Sequence, residues 1–173
     1  MAFLPIVLAL VMAQGPAQSV AAPSLVLRCG EEPGEVTLSI HNPDQTDTAI
    51  LLGVSLANGR WYLPRELVVE LTRNGNPEIE ELVFRGPSGI AGRMDHWVVP
   101  LPTRSTFTLT LCPSDFISTS AARAVSAPEE LKIRLTGRSI TSDLSLDMTG
   151  MKAWRVWTGT VVSNPLRVSD CSQ

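Results

Sequence analysis

The chain has 173 residues and a formal net charge of −3. It has no basic surplus for phosphate contacts or anionic lipid, which argues against nucleic acid and against a polybasic membrane-surface role. Hydrophobic residues make up 44% and charged residues 18%, which excludes a disordered polar chain and leaves material for one real core.

Ala2 to Ala13 is apolar and uncharged, and small residues follow at Ser19, Ala21 and Ala22. An apolar stretch of roughly a dozen residues ahead of small residues has the form of a secretory signal peptide, and it is short for a bilayer span. Residues 1–22 are read as that segment, with cleavage after Ala21 or Ala22, and 23–173 as a single domain. No Lys or Arg precedes the apolar stretch, a departure from the usual pattern. Arg28, directly before Cys29, stands where a lipoprotein signal needs a small residue. No later segment is apolar enough to span, so the processed chain is expected to be soluble and outside the cytoplasm. Lys132 and Lys152 are the only lysines, a bias typical of GC-rich coding sequence.

Export makes the cysteines legible. Cys29, Cys112 and Cys171 all lie in the processed part, where oxidation is permitted. An odd number leaves one thiol over. Cys29 ends an early strand and Cys171 the last one, and first and last strands lie side by side in many sandwiches. That favours Cys29–Cys171, with Cys29–Cys112 a close competitor. No CxxC or HxxxH spacing signals zinc.

In chain order, "EVTLSIHN" alternates, with Val36, Leu38 and Ile40 on one face. "NPDQTD" is a turn cluster, in which Asp44 and Asp47 are explained by turn formation better than by calcium. "TAILLGVSL" is an apolar run suited to a central strand. Asn58-Gly59 and Asn74-Gly75 are hairpin corners, with alternating strands around the second. "HWVVPLP" ends at prolines, as an edge strand or strand exit does. "STFTLTL" points Phe107, Leu109 and Leu111 inward, and "LKIRLTG" does the same with Leu131, Ile133 and Leu135. The stretch from Ser120 to Leu131 is the one place for a helical turn. About eight or nine short strands with turn signals between them point to an all-β, immunoglobulin-like antiparallel β-sandwich.

Two aromatic stretches stand out. Trp61 and Tyr62 follow the Asn58-Gly59 corner and fall on opposite faces of the departing strand, one for the core and one for a cap. Trp154 and Trp157 also face opposite sides if they lie in one strand, and Pro165 marks the start or edge of the last one. Packing accounts for these residues without a ligand.

"LLGVSLANGRWYLP", "GIAGRMDHWVVPLP", "STFTLTL" and "WTGTVVSN" together resemble a widespread group of exported bacterial proteins. That group shows an LG-x-x-L-x-NGR-x-Y stretch, a GVAGR-x-D stretch before a VPL turn, and a W-x-G-x-x-x-SN finish. The resemblance covers about Asn42 to Val168. It implies an immunoglobulin-like sandwich and an exported location, and it carries over no activity and no catalytic residue. More loosely, the layout is similar to bacterial protease-inhibitor sandwiches of the BsuPI type.

Arg93 to Trp97 is the most functional-looking stretch. Asp95 and His96 are adjacent, so in a strand they point apart and do not form a dyad. No G-x-S-x-G nucleophile motif is present. The reading is therefore non-enzymatic, with no cofactor. Met94, His96 and His41, joined by Met148 and Met151, are donors for a soft metal, so an exported copper carrier is an alternative. The leading reading is a protein-binding or accessory module of unknown partner. Its contact residues are Arg93, Asp95, His96, Trp97 and Trp61, beside a loop from Gly86 to Arg93 that carries three glycines and a proline. A protease-inhibitor-like module is a further alternative.

Overall fold

A computed structural model describes residues 21–56, 61–73, 76–84, 94–112, 115–118, 130–138 and 155–171. The Asn58-Gly59 and Asn74-Gly75 corners, the Gly86–Arg93 loop, the stretch read as a helical turn up to Glu129, Trp154 and most of the apolar N-terminal segment lie outside the described residues.

The alternating stretches form thirteen strands among the described residues. These are β1 (Ser24–Cys29), β2 (Val36–His41), β3 (Thr48–Leu56), β4 (Trp61–Leu63), β5 (Leu67–Arg73), β6 (Asn76–Phe84) and β7 (Met94–Leu101). They continue with β8 (Thr106–Leu111), β9 (Phe116–Ser118), β10 (Glu130–Gly137), β11 (Arg155–Val156), β12 (Gly159–Val162) and β13 (Leu166–Arg167). A 3-10 turn, Val168–Cys171, follows.

Three sheets result. The first is ordered β1-β2-β8. The second centres on β3, with β7 along one side and β4 and β11 sharing the other. The third runs β12-β10-β5-β6-β9, and β13 joins β10 beyond the end of β12. Among the described residues, pairing is antiparallel except between β11 and β3. One hydrophobic core draws on all three sheets: Leu38 and Ile40, Ile50 and Leu52, Leu67 and Leu135 are its centre. Each such side chain contributes about 1.5–3 kcal/mol through its removal from water.

β3 is the central strand its apolar run implied. Every residue from Thr48 to Gly53 is buried, so both faces are covered. Gly53 sits at a register shift opposite β7. A Cβ there would fall on the Leu63 carbonyl oxygen, so only glycine admits β4's approach. β7 carries Pro100 inside its length and, among the described residues, pairs with β3 alone, the edge position expected of a proline strand. On β10, Leu131, Ile133 and Leu135 are buried, while Arg134 on the other face pairs with Glu70 (3.2 Å) and Glu81 (2.5 Å) across neighbouring strands.

The Cys29–Cys171 bridge is formed, with Cα atoms 5.0 Å apart and a sequence separation of 142. Its route differs from expectation. β13 pairs with β10 and not with β1, and Cys171 reaches Cys29 from the 3-10 turn. The competing Cys29–Cys112 bridge is excluded by register. Cys29, Val36 and Leu111 form one row across the first sheet. That sets Cys112 about two strand spacings, roughly 10 Å, from Cys29 and on the opposite face, beyond what a disulfide spans. Cys112 is a free, half-buried thiol.

Candidate interaction surface

Of the site residues named from sequence, Trp61, Met94, Asp95, His96 and Trp97 lie at one end of the second sheet. Register builds it row by row. Leu56 lies between Trp61 of β4 and Met94 of β7, Ser55 lies between Tyr62 and Asp95, and Val54 lies between Leu63 and His96. Residues directly opposite one another share a face. Trp97 and Val99 belong to the core side. By alternation, Asp95 and Tyr62 share that side, while Met94, His96, Leu56 and Trp61 point outward.

The inner row closes the end of the core with stacked rings. Tyr62 lies 5.0 Å from Trp97, and Trp97 meets Phe107 of β8 edge-on at 6.5 Å. Aromatic pairs in this range add about 0.5–1.5 kcal/mol beyond burial. Of the aromatic pair Trp61 and Tyr62, neither is the core member expected from sequence, at 51% and 52% exposure; Tyr62 lies over the half-buried Trp97. The outer row is exposed, as Tyr62 at 52% is. Trp61 keeps 51% and Met94 57% of its surface exposed, on either side of half-buried Leu56. Half-exposed Trp61 is not part of the core. His96 is exposed on the same face.

Met94 and His96 thus share one face two residues apart, as the copper alternative requires. His41 does not join them. It ends β2 at the opposite end of the sheets, with its ring Nδ1 3.1 Å from Thr106 Oγ1. Asn42, next in sequence, donates to the Leu101 carbonyl. At roughly 3.3 Å per residue, Met94 lies about 23 Å along β7 from Leu101. Arg93, Met148 and Met151 lie outside the described residues. Among the described residues, no group of three or more His, Cys, Asp or Glu side chains is arranged to hold a metal ion. The turn aspartates are engaged locally. Asp44 accepts from the Gln45 amide (2.7 Å) and the Thr46 hydroxyl (3.1 Å), and Asp47 from the Thr103 amide (2.9 Å).

The tryptophan-glycine-serine-asparagine finish is structural in every described part. Trp157 is buried to 3% exposure, and its ring occupies the space a side chain at Gly137 would need. Gly159, at φ 142, faces the same ring. Ser163 Oγ accepts from the Ile133 amide at 2.9 Å and continues the β10 ladder where β12 stops. Asn164 Oδ1 accepts from Leu27 N–H (2.7 Å), and its Nδ2 donates to Leu27 C=O (3.0 Å). A side-chain amide thereby stands in for a neighbouring strand on the edge of β1.

Sequence reasoning missed Leu56 and the Asn42 and Asn164 hubs. A lone asparagine before proline carries no signal of what it bonds 59 residues away, as Asn42 does, or 137 away, as Asn164 does.

Compared with protein-family models, with curated proteins and with solved structures, the chain matches none. Among the described residues, no helix is long and apolar enough to cross a membrane.

Proposed function

We propose that the chain is an exported, non-enzymatic, immunoglobulin-like β-sandwich that binds a protein partner through the outer face of its second sheet. The observation that carries this reading is the row Trp61–Leu56–Met94, two half-exposed large apolar side chains flanking a third. Tryptophan and methionine are enriched at interface centres, and tryptophan dominates binding energy there. The face contrasts with the charged outer face of the third sheet, where Arg134 bridges Glu70 and Glu81. Successive strands that change sheet (β2 to β3, β7 to β8) and a bridge compatible with an oxidising compartment support the immunoglobulin-like and exported parts of the reading.

The test is capture from an envelope extract of the source cell by immobilised chain. Trp61→Ala and Met94→Ala are expected to weaken the captured partner at least tenfold, and Thr110→Ala, exposed on β8, to leave it unchanged. Equal capture by all three variants removes this surface from the reading.

A copper carrier remains the second reading because Met94 and His96 lie exposed on one face. Cu(I) titration decides it: uptake of one equivalent, lost in a Met94→Ala/His96→Ala double variant, favours the metal.

A further inference from the structure

The ladder bonds fix which edge of each strand in the first sheet is open. The Gly30 amide donates to the Glu35 carbonyl, so Gly30, and with it Arg28 and Val26, bond toward β2. Leu27 then faces away from β2, and Asn164 takes both its main-chain groups. On β2, Val36, Leu38 and Ile40 bond toward β8, and the Asn42 amide continues the series onto the Ser105 carbonyl. Their partners Leu111, Leu109 and Phe107 bond back to β2. That leaves the amides and carbonyls of Thr106, Thr108 and Thr110 along the outer edge of β8.

Proteins blunt sheet edges with short strands, prolines or covering groups. Among the described residues the other edges are so treated. β4, β9, β11 and β13 span two or three residues and β12 four, β7 carries Pro100, and β1 is covered by Asn164. β8 has none of these devices. Among the described residues it pairs with β2 alone, and its six residues, Thr-Phe-Thr-Leu-Thr-Leu, include no charge, proline or glycine. That composition on an open edge favours pairing with a further strand. Phe107 and Leu109 remain half-buried there.

The two ends of β8 differ in charge. Arg104 is exposed before it. After it, Val36 opposite Leu111 sets Glu35 beside Cys112, and the exposed Asp115 returns its amide to the Cys112 carbonyl. An antiparallel second β8 with Thr108 on the two-fold axis puts Thr106 opposite Thr110 and Phe107 opposite Leu109, both favourable cross-strand pairs. It also carries Arg104 of each copy to the end that holds Glu35 and Asp115 of the other. We propose that β8 pairs antiparallel with β8 of a second copy about Thr108, joining the two three-stranded sheets into one.

Sedimentation of the full chain, with its bridge closed, is expected to show the mass doubling with concentration. Hydrogen exchange at the Thr106, Thr108 and Thr110 amides is expected to slow at least tenfold over the same range. Thr108→Lys sets two ammonium groups together on the axis and leaves every bond to β2 in place, so that variant is expected to be folded and monomeric. Arg104→Glu is expected to weaken the dimer at least tenfold, and Arg104→Glu/Asp115→Arg to regain most of that loss. Within one copy these residues lie beyond opposite ends of a strand roughly 16 Å long, twice the screening length of about 8 Å, so the recovery arises between copies. A chain monomeric at every concentration, a dimer that persists in Thr108→Lys, or no recovery in the double variant overturns the pairing. Amide protection that requires an envelope extract gives the edge to another protein and overturns it as well.

Discussion

At Gly137 and Trp157 the fold is decided by a single missing carbon. The indole is buried where a Cβ on Gly137 would stand, between the last strands and the core. Gly137→Ala is therefore an overpacking change. It is expected to lower unfolding free energy by about 1–3 kcal/mol, read from urea midpoints at unchanged slope. Asn164 makes a comparable prediction by a different mechanism. Asn164→Ala strands the Leu27 amide and carbonyl, and an unmet buried polar group costs about 1–3 kcal/mol. Asn164→Asp keeps the acceptor and loses the donor to Leu27 C=O, so its loss is expected to fall between wild type and alanine. Neither role was legible in sequence. A Trp-x-Gly spacing says that something packs closely, but the glycine that receives the ring, Gly137, lies twenty residues upstream.

Strands were the most legible level. Period-two alternation at Val36-Leu38-Ile40 and Leu131-Ile133-Leu135 corresponds to buried faces, because one side of each sheet meets the shared core. The apolar run of β3 marked the central strand for the same reason. Short elements were not legible. β4, β11 and β13 span two or three residues, too few for a period, and exist because longer neighbours offer them a ladder. The β2–β3 turn shows how an element is set by its caps. Asp44 accepts from the Ala21 and Gln45 amides and then the Thr46 hydroxyl, and these bonds hold its carboxyl below the usual carboxylate range. A depressed carboxylate contributes stability above its unfolded pKa, about 3.9, and loses it as pH falls through the lower folded value. Asp44→Asn is therefore expected to lower Tm at neutral pH. Its Tm is expected to converge on wild type as pH falls through the lowered folded value, where both side chains become neutral.

For the whole molecule, the Cys29–Cys171 bridge is the dominant constraint. It ties the end of the first strand to the last turn and encloses a loop of 142 residues. In the chain-entropy picture a closure of that length removes about 5 kcal/mol of freedom from the unfolded chain. The third thiol cannot take part without moving β2 out of the first sheet. Burial, followed by the charges of Asp115, Glu35 and Glu32, pushes the Cys112 thiol up, leaving little thiolate to attack the bridge. A Cys29→Ala/Cys171→Ala variant is expected to lose up to about 5 kcal/mol in guanidinium unfolding. Cys112→Ser is expected to leave the midpoint within about 1 kcal/mol of wild type. With Cys112 in place, a thiol reagent at pH 8 is expected to label one site per native chain, several-fold more slowly than in the unfolded chain. One fast-labelling site under non-reducing conditions would mean that the bridge had moved from Cys171 to Cys112, and three sites that it had never closed.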